Sequence, residues 1–153
     1  MIRNLASLAA IALAGFSDPQ GPTPEARPTA IPDRISYVGT GNGWSGGRTI
    51  WWIDRSGRGV YRTTIRIKRD GKFNVGPEGF ERIRAILHPL EDVLKLPCDG
   101  AVTDQGVGAL SWRRGNHEVS LHFDFGCNFR QPDAVHARLG QASELVQQWA
   151  KAK

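Results

Sequence analysis

The chain has 153 residues, a formal net charge of +5 and two cysteines. About 120 residues follow the N-terminal segments, which is enough for one domain with a sizeable core and too few for several, and no internal repeat is present. The charge is local: residues 48–72 hold eight Lys or Arg against Asp54 and Asp70, which leaves the rest of the chain at −1. A uniformly basic protein is therefore excluded.

Residues 1–14 have the pattern of an export signal, with Arg3 followed by a short apolar run that ends in Ala12-Leu13-Ala14. The run is about half the ~20 residues that a bilayer-spanning helix needs. Leu13-Ala14-Gly15 resembles the lipobox of bacterial lipoproteins, but Phe16 stands where the lipid-accepting cysteine would be. We therefore expect a periplasmic or secreted protein with no lipid anchor at this position and no transmembrane helix after signal removal.

Residues 15–33 predict a proline-rich linker, because such a stretch lacks backbone donors and apolar mass. A single domain is predicted over residues 34–153. It opens with a strand at residues 34–38, followed by the glycine-rich segment 39–47 with Trp44 at its tip. This segment lacks the Gly-Lys-Ser/Thr ending of a P-loop and is followed by a β-rich stretch, which argues against a nucleotide site.

Two β-rich stretches, residues 48–55 and 60–69, predict a hairpin closed by residues 56–59. Asp70-Gly71 predicts a further turn that leads into residues 72–75. Alternate side chains of the strand 60–69 face opposite sides, so that one side is apolar and the other basic. The apolar side carries Tyr61, Ile65 and Ile67, and the basic side carries Arg62, Thr64, Arg66 and Lys68.

Neighbouring Trp51 and Trp52 point to opposite faces, and the length of the hairpin loop decides which one joins the core. A two-residue loop at Gly57-Arg58 places Trp52 in the core and Trp51 among the arginines, whereas a three-residue loop exchanges them. Either way one indole ring lies over the basic side, where a cation–π contact is available. The alternative is a ring held by arginine stems or covered by a helix. The predicted binding residues are Trp44, Trp51, Arg62, Arg66 and Lys68.

Two amphipathic helices are predicted, the first opened by Gly76-Pro77-Glu78 and the second beginning near Asp133. Pro89 removes a backbone donor from the first helix, so we expect a kink or break near His88 and an end by Leu96-Pro97. The second helix is expected to cover one face of the sheet. The apolar stripes are Phe80, Ile83, Leu87, Leu90 and Leu94 in the first helix, and Val135, Leu139, Ala142, Leu145, Val146 and Trp149 in the second.

The clearest hairpin lies between Gly108 and Phe125, with Gly115-Asn116 as a two-residue loop. This register pairs apolar with apolar residues and charge with countercharge. The predicted pairs are Arg114 with His117, Arg113 with Glu118, Trp112 with Val119, and Leu110 with Leu121.

The segment "HFDFGC", residues 122–127, holds a histidine, an aspartate and a cysteine in six positions. Strand alternation places Cys127 with the apolar side chains and His122 and Asp124 on the other face, which argues against a Cys-His-Asp nucleophile. Glu118, His122 and Asp124 share that other face, but alternate residues lie ~6.5 Å apart, which is somewhat wide for a compact metal site, and no second histidine has matching spacing. In an exported chain, Cys98 and Cys127 are expected to form a disulfide.

The order "ISY", glycine-rich loop, "GRGVYR", apolar helix, "VTD", "FGC" and closing helix resembles a family of small exported bacterial domains, many of them lipoproteins. The resemblance covers residues 34–150 and implies no activity. The layout is also similar to small proteinaceous inhibitors of bacterial metalloproteases. The predicted class is α+β, with an antiparallel sheet of about five strands and two packing helices.

The function we expect is non-catalytic: an exported envelope protein that binds an anionic or polymeric partner, an envelope polymer or protein, through the basic aromatic face. We expect no cofactor, no metal and no catalytic residues, and export argues against nucleic acid as the ligand. A protease inhibitor that uses residues 39–47 is the alternative. A small hydrolase is the third possibility, and it requires a cleft that gathers acids with His88, His117, His122 or His136.

Overall fold

The computed structural model describes residues 30–41, 46–93, 96, 98–101, 104–129 and 132–152. The predicted export signal, most of the predicted linker and Trp44 lie outside these residues. The helices are α1 (Gly76–Glu91) and α2 (Pro132–Lys151). The strands are β1 (Arg34–Thr40), β2 (Arg48–Asp54), β3 (Arg58–Thr63), β4 (Arg69–Asn74), β5 (Cys98–Ala101), β6 (Val107–Arg114), β7 (His117–Asp124) and β8 (Cys127–Phe129).

Six strands form one sheet in the order β4-β3-β2-β1-β6-β7, and β5 and β8 form a separate two-stranded sheet. Every neighbouring pair in both sheets is antiparallel. The predicted α+β class with an antiparallel sheet is therefore confirmed, and the main sheet has six strands rather than five. β1 lies between β2 and β6, so the chain returns from α1 to build the second half of the sheet on the free side of β1.

The predicted strand 60–69 is wrong beyond Thr63. There the Thr63 Oγ1 accepts a hydrogen bond from the Ile65 amide at 3.2 Å, and the backbone turns through Arg66, whose φ is 61°. Gly71 lies inside β4 rather than in a turn. A Cβ on Gly71 would lie 2.7 Å from the Ala150 carbonyl oxygen, so glycine is needed there because α2 crosses the strand closely.

Both helices pack on the same face of the main sheet. Proline in the first turn of α1 is confirmed, and Pro89 lies inside the helix, which ends two residues later at Glu91. Two side-chain hydrogen bonds connect α2 to the sheet. Trp51 Nε1 on β2 donates to Ser143 Oγ at 3.0 Å, and Gln147 donates to Tyr61 Oη on β3 at 2.8 Å. The fully buried side chains of the core include Ile35, Trp51, Ile53, Phe80, Ile83, Leu87, Leu110 and Val146.

The β6–β7 hairpin has the register that the sequence predicts, from Arg114 opposite His117 to Leu110 opposite Leu121. The strand does not continue to residue 127, however. The Gly126 amide donates to Asp124 Oδ1 at 2.8 Å, the chain turns at residues 125–126, and Cys127 begins β8. The expectation that strand alternation continues to Cys127 is therefore wrong beyond Asp124.

Residues 30–33, the end of the predicted linker, contact the hairpin turns of the domain. Pro32 is fully buried. The Asp33 amide donates to the Arg113 carbonyl at 2.7 Å, and Asp33 Oδ2 accepts from the Gly115 amide at 2.6 Å. These contacts fix the start of β1 beside β6.

Candidate functional site

The connection between β2 and β3 has three residues, 55–57, and this length decides the placement of the two tryptophans. The register places Trp51 opposite Tyr61 and Trp52 opposite Val60. Gly57 closes the turn with φ 83°, where a side chain would also collide with the backbone of Gly76. The placement of Trp51 among the basic residues is therefore wrong: Trp51 is 0% exposed in the core, and Trp52 lies half-buried on the opposite face.

We call the sheet face opposite the helices the open face. Its side chains form rows that cross all six strands. The charged row contains Asn74, Arg58, Asp54, Arg34, Arg113 and Glu118. The tryptophan row contains Lys72, Val60, Trp52, Ser36, Ser111 and Ser120. The third row contains Asp70, Arg62, Ile50, Val38, Ala109 and His122.

Trp52 is the aromatic centre of the open face. The guanidinium carbon of Arg34 lies 4.3 Å from the centroid of the Trp52 ring, a cation–π contact worth about 0.5–1 kcal/mol at a partly exposed site. Beside it lies a shallow hollow of about 670 Å³, whose lining includes Trp52, Arg34, Arg58, Val60 and Lys72. A half-buried aromatic ring bordered by cations thus lies beside an open hollow.

Asp54 is the acidic residue closest in register to Arg34, but its carboxylate serves the hairpin turn. It accepts hydrogen bonds from the Ser56 hydroxyl at 2.5 Å and the Arg58 amide at 3.2 Å, and it pairs with the Arg58 guanidinium at 3.4 Å. Burial raises the pKa of Asp54, but these hydrogen bonds and the charge of Arg58 outweigh burial and leave the pKa below its ordinary value of 3.8. Asp54 therefore stays ionised and engaged with Arg58.

The remaining cations of the open face have no such partner. Within the part of the chain that the structure describes, Arg34, Arg62, Arg113 and Lys72 form no ion pair with a carboxylate. The Nε atoms of Arg34 and Arg113 are buried and have no hydrogen-bond acceptor there. Five Arg or Lys and three Asp or Glu lie in the three rows, so the open face carries a surplus of positive charge.

The structure brings together only part of the predicted binding set. Arg62 lies exposed on the open face, in the row next to Trp52. Arg66 and Lys68 lie in the β3–β4 connection beyond the end of the sheet, beside Ile67, which is 57% exposed. Trp44 lies outside the described residues. The expectation of one strand face carrying Arg62, Arg66 and Lys68 is therefore wrong, because β3 ends at Thr63.

Sequence reasoning missed Arg34, Arg113 and Lys72. Arg34 and Arg113 are far apart in the chain, and they become direct neighbours only because β6 pairs with β1. Lys72 was separated from the basic strand by the predicted turn at Asp70-Gly71. Strand alternation could have identified Arg113, because it neighbours Trp112, a predicted core residue, and therefore faces the opposite side of the sheet.

Cys98 and Cys127 form a disulfide with their Cα atoms 5.5 Å apart, and it joins β5 to β8. Cys127 is 5% exposed whereas His122 is exposed on the open face. Among the described residues there is no group of three or more His, Cys, Asp or Glu side chains placed to hold a metal ion. The four histidines are distributed over α1, β7 and α2: His88, His117, His122 and His136.

The comparisons with known proteins give no family for this chain. No protein-family model and no curated protein matches the sequence. Within the described ranges, no helix has both the length and the apolar character needed to cross a bilayer. The function must therefore be argued from the site itself.

Proposed function

We propose that this protein is a non-catalytic, exported envelope protein that binds an anionic polymer across the open face of its sheet. The observation that carries the proposal is the half-buried Trp52 with Arg34 over its ring, bordered by cations without ion pairs in the described part of the chain. The three rows hold five Arg or Lys against Asp54, Asp70 and Glu118, a surplus of two positive charges, and such a surplus attracts an anionic, extended partner. The aromatic ring adds contact area that charge alone does not provide.

An extended partner suits this surface better than a small molecule. The hollow beside Trp52 is open and shallow, whereas small-ligand sites enclose most of the ligand. The cations are distributed over several strands, with Lys72 on β4, Arg62 on β3, Arg34 on β1 and Arg113 on β6. A polymer that lies across the rows contacts all four, so its affinity is expected to depend strongly on salt.

Export is part of the proposal and has two supports. The first is the pattern of residues 1–14, and the second is the Cys98–Cys127 disulfide, which is typical of oxidising compartments. The resemblance to small exported bacterial domains is consistent with this location.

The test compares two variants that lose the same charge from different sides of the molecule. Arg62→Ser/Lys72→Ser removes two exposed cations from the open face, and the matched control Arg82→Ser/Lys151→Ser removes two exposed cations from the helices. We expect the first variant to lose retention on immobilised dextran sulfate at low salt, because its cations lie beside Trp52. The control should elute close to the wild-type protein.

Equal losses in both variants would mean that net charge, not the open face, governs retention. Absence of retention by the wild-type protein would refute the proposal. Trp52→Ala is a third variant that leaves the net charge unchanged, and it should also weaken retention.

The inhibitor alternative depends on the segment 39–47, of which residues 42–45 lie outside the described ranges. Inhibition of a metalloprotease that disappears on deleting residues 42–45 would favour this alternative instead.

A further inference from the structure

We infer that Arg34 and Arg113 form a subsite for one carboxylate group of an acidic polysaccharide, with Trp52 as the platform for an adjoining sugar ring. The inference rests on the proposed function and names the chemistry of the partner. The two arginines are directly opposite each other on β1 and β6, on the open face. Side chains in such pairs have their Cβ atoms about 4.5–5.5 Å apart. The Arg34 guanidinium lies over Trp52 on β2, so it must turn toward β6 for the two guanidinium groups to hold one anion.

Two like charges directly opposite each other are destabilising unless a counterion lies between them. Asp54 on β2 is directly opposite Arg34, but its carboxylate is bound to Ser56 and Arg58. Glu118 on β7 is directly opposite Arg113 on β6 but forms no ion pair with it. Neither arginine therefore forms an ion pair with the carboxylate opposite it, and an oxyanion from a ligand is suited to the position between them.

The hydrogen-bonding capacity of the pair points the same way. Each guanidinium has five donors in a rigid planar fork that matches the two oxygens of a carboxylate. The Nε donors of Arg34 and Arg113 are buried without an acceptor in the described part of the chain, so a ligand that arrives from the open face must be held by the outer Nη donors of the two forks. A bound carboxylate accepts charge-assisted hydrogen bonds from both forks, and these are about twice as strong as neutral ones.

The neighbouring row favours a polysaccharide over other polyanions. Trp52 presents a half-buried ring beside an open hollow, and the face that Arg34 covers becomes available to a sugar when the guanidinium turns toward Arg113. Ser36, Ser111 and Ser120 continue the same row. The Ser111 and Ser120 hydroxyls are hydrogen-bonded to each other at 2.7 Å, which leaves further donor and acceptor capacity. A pyranose ring has an apolar face for the indole and hydroxyls for the serines, whereas polyphosphate has neither.

The experiment measures binding of the intact, oxidised chain to oligogalacturonate, to polyphosphate of equal charge and to a neutral oligosaccharide by calorimetry. We expect oligogalacturonate to bind most tightly and the neutral oligosaccharide not at all. Arg34→Gln and Arg113→Gln should each weaken oligogalacturonate binding about ten- to a hundredfold, since each removes a charged donor from the carboxylate. Glu118→Gln should strengthen it, because it removes a nearby negative charge that repels the ligand carboxylate.

A double-mutant cycle separates a shared subsite from independent charges. If both arginines hold the same carboxylate, Arg34→Gln/Arg113→Gln should lose little more affinity than either single variant. Arg34→Lys and Arg113→Lys, which keep the charge and remove the fork, should also lose oligogalacturonate affinity while they retain polyphosphate binding. Unchanged thermal unfolding of these lysine variants confirms that the fold is intact.

Polyphosphate binding as tight as oligogalacturonate binding would overturn the polysaccharide assignment. Additive losses in the double-mutant cycle, or full affinity in Arg113→Gln, would overturn the shared subsite. In these cases the proposed function still stands if Arg62→Ser/Lys72→Ser abolishes retention on dextran sulfate. Failure of every anionic polymer to bind would instead remove the proposed function and the subsite together.

Discussion

Trp51 on β2 donates its indole hydrogen to the Oγ atom of Ser143 on α2 at 3.0 Å. The ring is 0% exposed and stacks on Tyr37, with the two centroids 5.5 Å apart and the planes inclined by 19°. A buried indole that lacks an acceptor loses a hydrogen bond to water without compensation. Ser143 therefore connects the middle of the sheet to the helix that covers it.

Replacement of Ser143 by alanine should destabilise the protein by about 1–3 kcal/mol, because the Trp51 Nε1 hydrogen then remains buried without its acceptor. Urea unfolding followed by circular dichroism measures the change. Ser120→Ala is the matched control: its hydroxyl is on the open face, where water can replace the lost partner, and its cost should be below about 0.5 kcal/mol. Equal costs for the two variants would contradict the role given to Ser143.

The tryptophan pair shows what the sequence can and cannot predict here. Alternation establishes that Trp51 and Trp52 face opposite sides, and both hairpins and both helices are readable from their patterns. Which tryptophan is buried depends on one loop residue, and a propensity pattern does not count loop residues reliably. The five-residue stretch from Thr64 to Lys68 likewise has β-branched residues typical of a strand, yet it forms a connection because local hydrogen bonds and the positive φ of Arg66 turn the chain.

The sequence predicts the type of candidate site but not most of the residues that form it. A local surplus of basic residues beside tryptophan indicates a basic aromatic face, and Arg62 belongs to it. The Arg34–Arg113 pair was not predictable, because it requires knowing that β1 lies between β2 and β6. Long-range strand order is not encoded in local periodicity, so residues that meet through it are missed.

Glu91 at the end of α1 and Arg114 at the end of β6 form an ion pair in which both side chains are about nine-tenths buried. Arg114→Met should destabilise the protein by about 3–5 kcal/mol, since it leaves the Glu91 carboxylate buried without this partner. Glu91→Gln/Arg114→Met should recover a large part of the loss, because both charges are then removed. Chemical unfolding of the three proteins at one pH measures this, and a double variant that is less stable than Arg114→Met would contradict the pairing.

Tyr37 gives a prediction for alkaline pH. Burial, together with the charge of a nearby ionised Tyr61, raises the pKa of Tyr37 from 10.0 to about 12. A group whose pKa is raised by folding contributes stability below its unfolded pKa of about 10, and this contribution is lost as the pH rises toward 12. Absorbance at the tyrosinate band should show one of the two tyrosines ionising near pH 12, and Tyr37→Phe should remove that step. A complete titration of both residues near pH 10 in the folded protein would contradict the burial of Tyr37.

The Cys98–Cys127 disulfide closes a loop between residues 29 apart in the sequence and joins the two short strands β5 and β8. In the chain-entropy model, closing a loop of this length stabilises a protein by about 3.6 kcal/mol through the unfolded state. Cys98→Ser/Cys127→Ser should therefore lower the free energy of unfolding by about that amount, and reduction of the wild-type protein should have the same effect. The open face lies on the main sheet and includes neither cysteine, so dextran sulfate retention of the folded double serine variant should equal that of the wild type. If the double serine variant loses retention without denaturant, at a temperature well below its unfolding midpoint, the open face depends on β5 and β8.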